Sequence, residues 1–127
     1  MTTNKQEKRY PLESVEQKLL FEWAKVVSNK HKELNLMYAV PNGGSRNRIE
    51  AANLKKQGVK AGVPDICLPV ARNGFNGLYI ELKRQKGSRT SPEQKEWIEQ
   101  LEQQGYKAVI CFGFDEGKKV LEEYLGI

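Results

Sequence analysis

The spacing of apolar positions alternates along the chain between the helical and the strand period, and each switch predicts an element boundary. Leu19, Leu20, Trp23, Ala24 and Val27 form one helical stripe, which predicts an amphipathic helix over about residues 15–31. Ahead of it Ser14 and Gln17 have the spacing of a capping box, with Ser14 as N-cap. Glu16 precedes Leu20 by one helical turn and Trp23 by two, so it shares the inward face. Residues 36–40 predict a short strand, broken by Pro41-Asn42-Gly43-Gly44. Ser45 is placed to cap a basic helix over 46–57 that Gly58 ends. An apolar run at 66–70 predicts a buried strand, and Asn73-Gly74 and Asn76-Gly77 predict the turn after it. In the returning strand, 78–83, Leu78, Ile80 and Leu82 alternate with Tyr79, Glu81 and Lys83. Ser91-Pro92-Glu93-Gln94 is a second capping box, opening a helix that stops at Gly105. The nearly unbroken apolar run 106–112 predicts a central strand buried on both faces, and 114–125 a closing amphipathic helix.

Helices and strands in that order predict a mixed α/β sheet covered by helices. The 127 residues fit one domain with one core, here 13–127, preceded by a polar tail over 1–12 that ends near Pro11. Apolar residues make up 39% and charged residues 29%, as in soluble globular proteins. The sequence has no apolar run of membrane-spanning length and no apolar stretch in its first residues, so neither a membrane helix nor a signal peptide is expected. Cys67 and Cys111 both sit in apolar runs. They read as small buried residues of a reducing compartment, which makes the cytoplasm the expected location.

Charge placement says more than the net charge of +5. Arg46, Arg48, Lys55, Lys56 and Lys60 precede Asp65, and Lys83, Arg84, Lys86 and Arg89 follow Glu81. Basic clusters on both sides of an acidic pair suit a polyanion laid across a cation site, although each cluster alone also reads as solvated surface. Strand parity tests whether the acids can meet. If 65–70 and 78–83 pair as a hairpin with Val70 opposite Leu78, then Asp65 opposes Lys83 and Cys67 opposes Glu81. Asp65, Glu81 and Lys83 then project from one face, within reach of a shared cation. A slip of two residues keeps that face and a slip of one destroys it. Two acids and a lysine so placed suit metal-assisted phosphodiester hydrolysis. His31, the only histidine, falls near the end of the first helix, which argues against histidine-based nucleases and Ser-His-Asp chemistry. The loop Pro41-Asn42-Gly43-Gly44-Ser45-Arg46 is either a phosphate cradle at a helix N-terminus or a plain strand-to-helix turn.

Pro64-Asp65 followed by Glu81-Leu82-Lys83 resembles the PD-(D/E)xK nuclease superfamily. With Pro41-Asn42-Gly43-Gly44, Gly58-Val59-Lys60-Ala61-Gly62-Val63, and Ser91-Pro92-Glu93-Gln94 before Trp97, the ordered set is similar to the VRR-NUC domain over about residues 13–125. The resemblance implies a restriction-endonuclease-like αβββαβ core, with one inserted helix at 46–57 and a C-terminal helix. It implies Mg²⁺ or Mn²⁺ held by Asp65, Glu81 and the Leu82 carbonyl, with Lys83 positioning the attacking water. Glu16 matches an acid that completes the metal site in related junction resolvases, and also reads as a first-turn glutamate favoured by the helix dipole. Gln94 matches a glutamine that contacts the site, a role compatible with capping Ser91. The resemblance further implies a small stand-alone phage or bacterial type, similar to homodimeric Holliday junction resolvases and acting on branched or flapped DNA. Asn42, Gly43, Gly44, Arg46, Arg48, Lys60, Arg84, Lys86 and Arg89 are the expected DNA contacts. The competing expectations are a nucleic-acid-binding module of the same fold that does not cut, and an assembly protein whose acids are surface charges.

Overall fold

The computed structural model describes residues 9–41 and 47–127. The chain runs α1 (Glu13–Val27), a 3₁₀ turn (Lys32–Leu36), β1 (Tyr38–Ala39), α2 (Arg48–Lys56), β2 (Ile66–Leu68), β3 (Leu78–Lys83), α3 (Pro92–Gln103), β4 (Lys107–Phe112) and α4 (Phe114–Leu125). The strands form one mixed sheet in the order β1-β2-β3-β4, antiparallel for the first two pairs and parallel for β3 with β4. This is the expected helix-covered α/β sheet of restriction-endonuclease type.

The two faces of β3 do different work. Leu78, Ile80 and Leu82 are fully buried, and Leu20 of α1 and Leu82 meet beside Gly117 of α4. α1 and α4 therefore cover that face and close the main core. Glu81 and Lys83 point the opposite way, toward the start of α3. α3 is held against the loop before β2 by Gly62, whose φ is +89°. A Cβ there would stand 2.8 Å from the Glu93 carbonyl carbon. The glycine thus supplies a left-handed backbone and a close approach that no other residue fits.

Several expected boundaries move. α1 starts at Glu13 with Leu12 as N-cap and has no side-chain cap, so Ser14 lies inside the helix. Leu12 O accepts from Val15 and Glu16 N–H instead, giving the first turn its backbone bonds. The helix ends at Val27, which leaves His31 at the head of the 3₁₀ turn rather than in the last helical turn. α2 is capped by Asn47, whose Oδ1 accepts from Glu50 N–H at 2.8 Å. Ser45 lies outside the described residues, as do Asn42, Gly43, Gly44, Arg46 and residues 1–8 of the expected tail. Tyr10, from that tail, contacts the domain: its carbonyl accepts from Arg84 Nη2 at 3.4 Å and Lys86 Nζ stands 5.6 Å over its ring. β4 is an edge strand and not a central one. Its apolar run is explained by α3 and α4, which both pack against it. No helix among the described residues is long and apolar enough to cross a membrane.

Gly62→Ala is expected to cost about 2 kcal/mol or more of stability, from backbone strain plus a clash with rigid backbone. Gly58→Ala shares the strain, with φ +99°, but meets open space. Urea unfolding should rank Gly62→Ala as the more damaging of the two. Equal losses would contradict the packing role given to Gly62.

Candidate active site

β2 and β3 pair with Ile66 opposite Ile80, Cys67 opposite Tyr79 and Leu68 opposite Leu78. The expected pairing of Val70 with Leu78 is therefore corrected by two residues, because the ladder on β2 ends at Leu68 and the chain turns earlier. A two-residue slip preserves the face. Extended toward the N-terminus of β2, the register sets Asp65 beside Glu81 and Pro64 opposite Leu82.

Proline at that position has a chemical consequence. Val40 N–H donates to Asp65 O at 2.7 Å, so Asp65 directs its backbone groups to β1. Gly113 N–H donates to Lys83 O at 2.8 Å, so Lys83 directs its own to β4. Backbone groups alternate along a strand, hence Leu82 faces Pro64 across the ladder. Pro64 has no N–H to offer the Leu82 carbonyl. The Leu82 N–H, on the same edge, donates to Asp65 Oδ2 at 2.8 Å. The end of the ladder thus presents a backbone carbonyl and a fixed aspartate side by side.

Asp65, Glu81 and Lys83 are all buried. Burial, the hydrogen bond with the Asp65 carboxyl and that group's negative charge push Glu81 up to about 8 from an ordinary 4.5. Lys83 opposes the shift, and Glu13 adds to it. Two carboxylates this close disfavour full ionisation of the pair. Lys83 Nζ stands 3.7 Å from Glu81 Oε2.

Gln94 joins these groups. Its Oε1 accepts from Ser91 N–H at 2.9 Å and from Lys83 Nζ at 2.8 Å. Its Nε2 donates to Glu81 Oε2 at 3.1 Å. The Ser91 donor fixes which end of the amide is which. The expected capping box is present, since Gln94 N–H also donates to Ser91 Oγ at 3.2 Å. One side chain therefore starts α3 and orients both polar residues of β3.

The first helix brings two acids toward this region. Glu16 is buried as its stripe predicts, but Oε2 has no hydrogen-bond partner among the described residues. A Cβ on Gly113, the N-cap of α4, would lie 2.8 Å from that oxygen. Glu13 is the acid of α1 whose charge reaches Glu81, and with Gln17, Phe21, Ala39 and Asp65 it lines a cavity of about 520 Å³. Glu13, Gln17 and Phe21 repeat at helical spacing, on a row rotated about 60° from Glu16, Leu20 and Ala24. Burial periodicity identifies the second row, and only the tertiary structure identifies the first as the side facing the acids. Among the described residues no three His, Cys, Asp or Glu side chains converge as a metal-binding group. The donors that do converge are two carboxylates and a carbonyl, all hard oxygens.

The basic residues lie on several separate elements. Arg48 is exposed at the start of α2, Lys60 is exposed near Trp97 of α3, and Arg89 is exposed in the loop before α3. Arg84 is half-buried against Tyr10, and Lys86 is exposed beside it.

Comparison with known proteins bears on the family and the fold. The VRR-NUC domain model matches residues 2–115, ending just inside α4. A solved structure described as a VRR_NUC domain protein is 33% identical, superposes with a TM-score of 0.79, and matches over 93% of this chain and 91% of its own. No curated protein was matched. With nearly the whole chain matched in sequence and in fold, the protein belongs to the VRR-NUC domain family, a nuclease-type domain.

Proposed function

We propose that this chain is a DNA endonuclease that hydrolyses phosphodiester bonds with Mg²⁺ or Mn²⁺. The observation that carries the reading is the buried Asp65–Glu81 pair with Lys83 held 2.8 Å from Gln94 Oε1 beside it. Asp65, Glu81 and the Leu82 carbonyl would hold the ion, an all-oxygen set suited to a hard cation. A bound ion neutralises charge on the phosphate and makes a neighbouring water more acidic. Lys83 has ammonium protons beyond the one given to Gln94, and these orient the attacking water and meet developing negative charge. Gln94 keeps Lys83 and Glu81 in register through that step. Glu13 stands outside the convergent donors and acts through water, which suits a cation that keeps part of its hydration shell. In this reading Glu13 takes the role expected of Glu16.

Two features support the finer parts of the proposal. Arg48, Lys60, Lys86 and Arg89 are exposed cations, available to phosphates of a bound strand. Leu12, Val15, Leu19 and Val26 of the α1 region are exposed at helical spacing, and Ile49 of α2 is 75% exposed. Measured among the described residues, no side chain of α2 is buried. Such surfaces suit a homodimer, and two symmetric sites suit branched DNA.

The test is a cleavage panel of duplex, flap, splayed-arm and four-way-junction DNA, with Mg²⁺ and with Mn²⁺. Branched substrates should be cut in preference to duplex, and Asp65→Ala should lose at least about a hundredfold in rate while still binding DNA. A wild-type chain that binds but never cuts would leave only a binding module.

The two acids of α1 separate in the same assay. Glu13→Gln is expected to lower cleavage about 10- to 100-fold, as for groups that orient metal ligands. Glu16→Gln should leave it unchanged. The opposite ranking would restore Glu16 to the site.

A further inference from the structure

The sheet face that carries Asp65 and Glu81 also carries tyrosines that the proposed chemistry does not use. Tyr38 stands opposite Cys67, and Cys67 opposite Tyr79, across three neighbouring strands. Cys67 and Tyr79 each lie two positions along the chain from an acid, so they project from the same face about 7 Å away. Tyr38 and Tyr79 flank the buried Cys67 on either side of it in the ladder. Tyr106 packs edge-on against Tyr79, with ring centroids 5.4 Å apart and planes at 78°. Tyr79 and Tyr106 are half-buried, whereas Tyr38, on the edge strand β1, is 48% exposed.

An aromatic ring carried on a strand, with only two side-chain torsions to fix, presents a face to solvent at little entropic cost to a ligand. Flat apolar groups with polar edges are the natural partners of such a face, and nucleobases are the ones a nuclease meets. A paired and stacked base has no face to offer. The row is also close enough to the acids that a phosphate held there would bring its neighbouring base within reach of the ring.

We propose that Tyr38, backed by Tyr79, stacks the unpaired base next to the cleaved phosphodiester. Cutting is thereby directed to a splayed or single-stranded nucleotide rather than to fully paired DNA. This rests on the nuclease reading of the acid pair and names the substrate feature that the pair meets.

The test uses the full chain carrying Asp65→Ala, so that DNA is bound and not cut. The probes are a splayed-arm duplex with 2-aminopurine at the first unpaired position and a fully paired duplex of equal length. Binding should quench the 2-aminopurine. Adding Tyr38→Leu should remove the quench and weaken splayed-arm binding roughly tenfold, the scale of one stacked base. Duplex binding should hold constant, and Tyr38→Phe should retain the quench and the affinity. The platform is overturned if Tyr38→Leu weakens both DNAs equally or neither, or if Tyr38→Phe is as damaging as Tyr38→Leu. A chain that binds neither DNA, together with a wild type that cuts none, would overturn the nuclease reading and this one with it.

Discussion

Two carboxylates on adjoining strands repel one another, and the β2–β3 register sets Asp65 and Glu81 side by side inside the protein. The rest of the site follows from that placement. Burial itself, followed by the hydrogen bond and the charge of Asp65, raises Glu81 to about 8. A fold selected for stability alone would separate such a pair or replace one member. Here the pair is kept, and the Leu82 carbonyl beside it faces a proline that cannot donate to it. In the proposed function, a cation would offset the repulsion between these oxygen donors.

The remaining devices hold the pair rigid rather than relieve it. The Leu82 N–H fixes Asp65, and Gln94 fixes Glu81 and Lys83. Gln94 is itself fixed by Ser91 at the first turn of α3. Helix capping and site geometry are therefore one hydrogen-bond network, and Gly62 sets the distance at which it operates. Polar groups carried on strands and helix ends keep their positions without reorganising when a substrate arrives.

Much of this was legible in the sequence because strand parity is strict. The register expected from parity differs by two residues and still puts Asp65 and Glu81 on one face. The Ser91–Gln94 box and the limits of β3 and α4 read directly from local spacing. What did not read was long-range. Nothing local distinguishes an edge strand flanked by two helices from a central one, so β4 looked central. The inward stripe of α1 identifies Glu16 as buried, and the tertiary structure adds that it lies against Gly113. Glu13 sits on a neighbouring helical row, and only the tertiary structure shows that this row lines the cavity with Asp65. The dual engagement of Gln94 needed the same tertiary information, since a capping glutamine carries no local sign of what else it touches.

The central claim is that the fold holds Asp65 and Glu81 together at a cost a divalent cation relieves. The direct measurement is the melting temperature of wild type and Glu81→Gln across about pH 5–9, with and without saturating Mn²⁺. Glu81 is raised in the folded state, so its contribution is full below its ordinary 4.5 and is lost as pH rises through about 8. Without metal, Glu81→Gln should gain on the wild type as pH rises, by several degrees at the alkaline end, on the order of 1 kcal/mol or more. Mn²⁺ should reverse the order by stabilising the wild type, increasingly at higher pH, because binding must displace the Glu81 proton. A wild type indifferent to Mn²⁺ at every pH, with no pH-dependent gap from Glu81→Gln, would contradict the account.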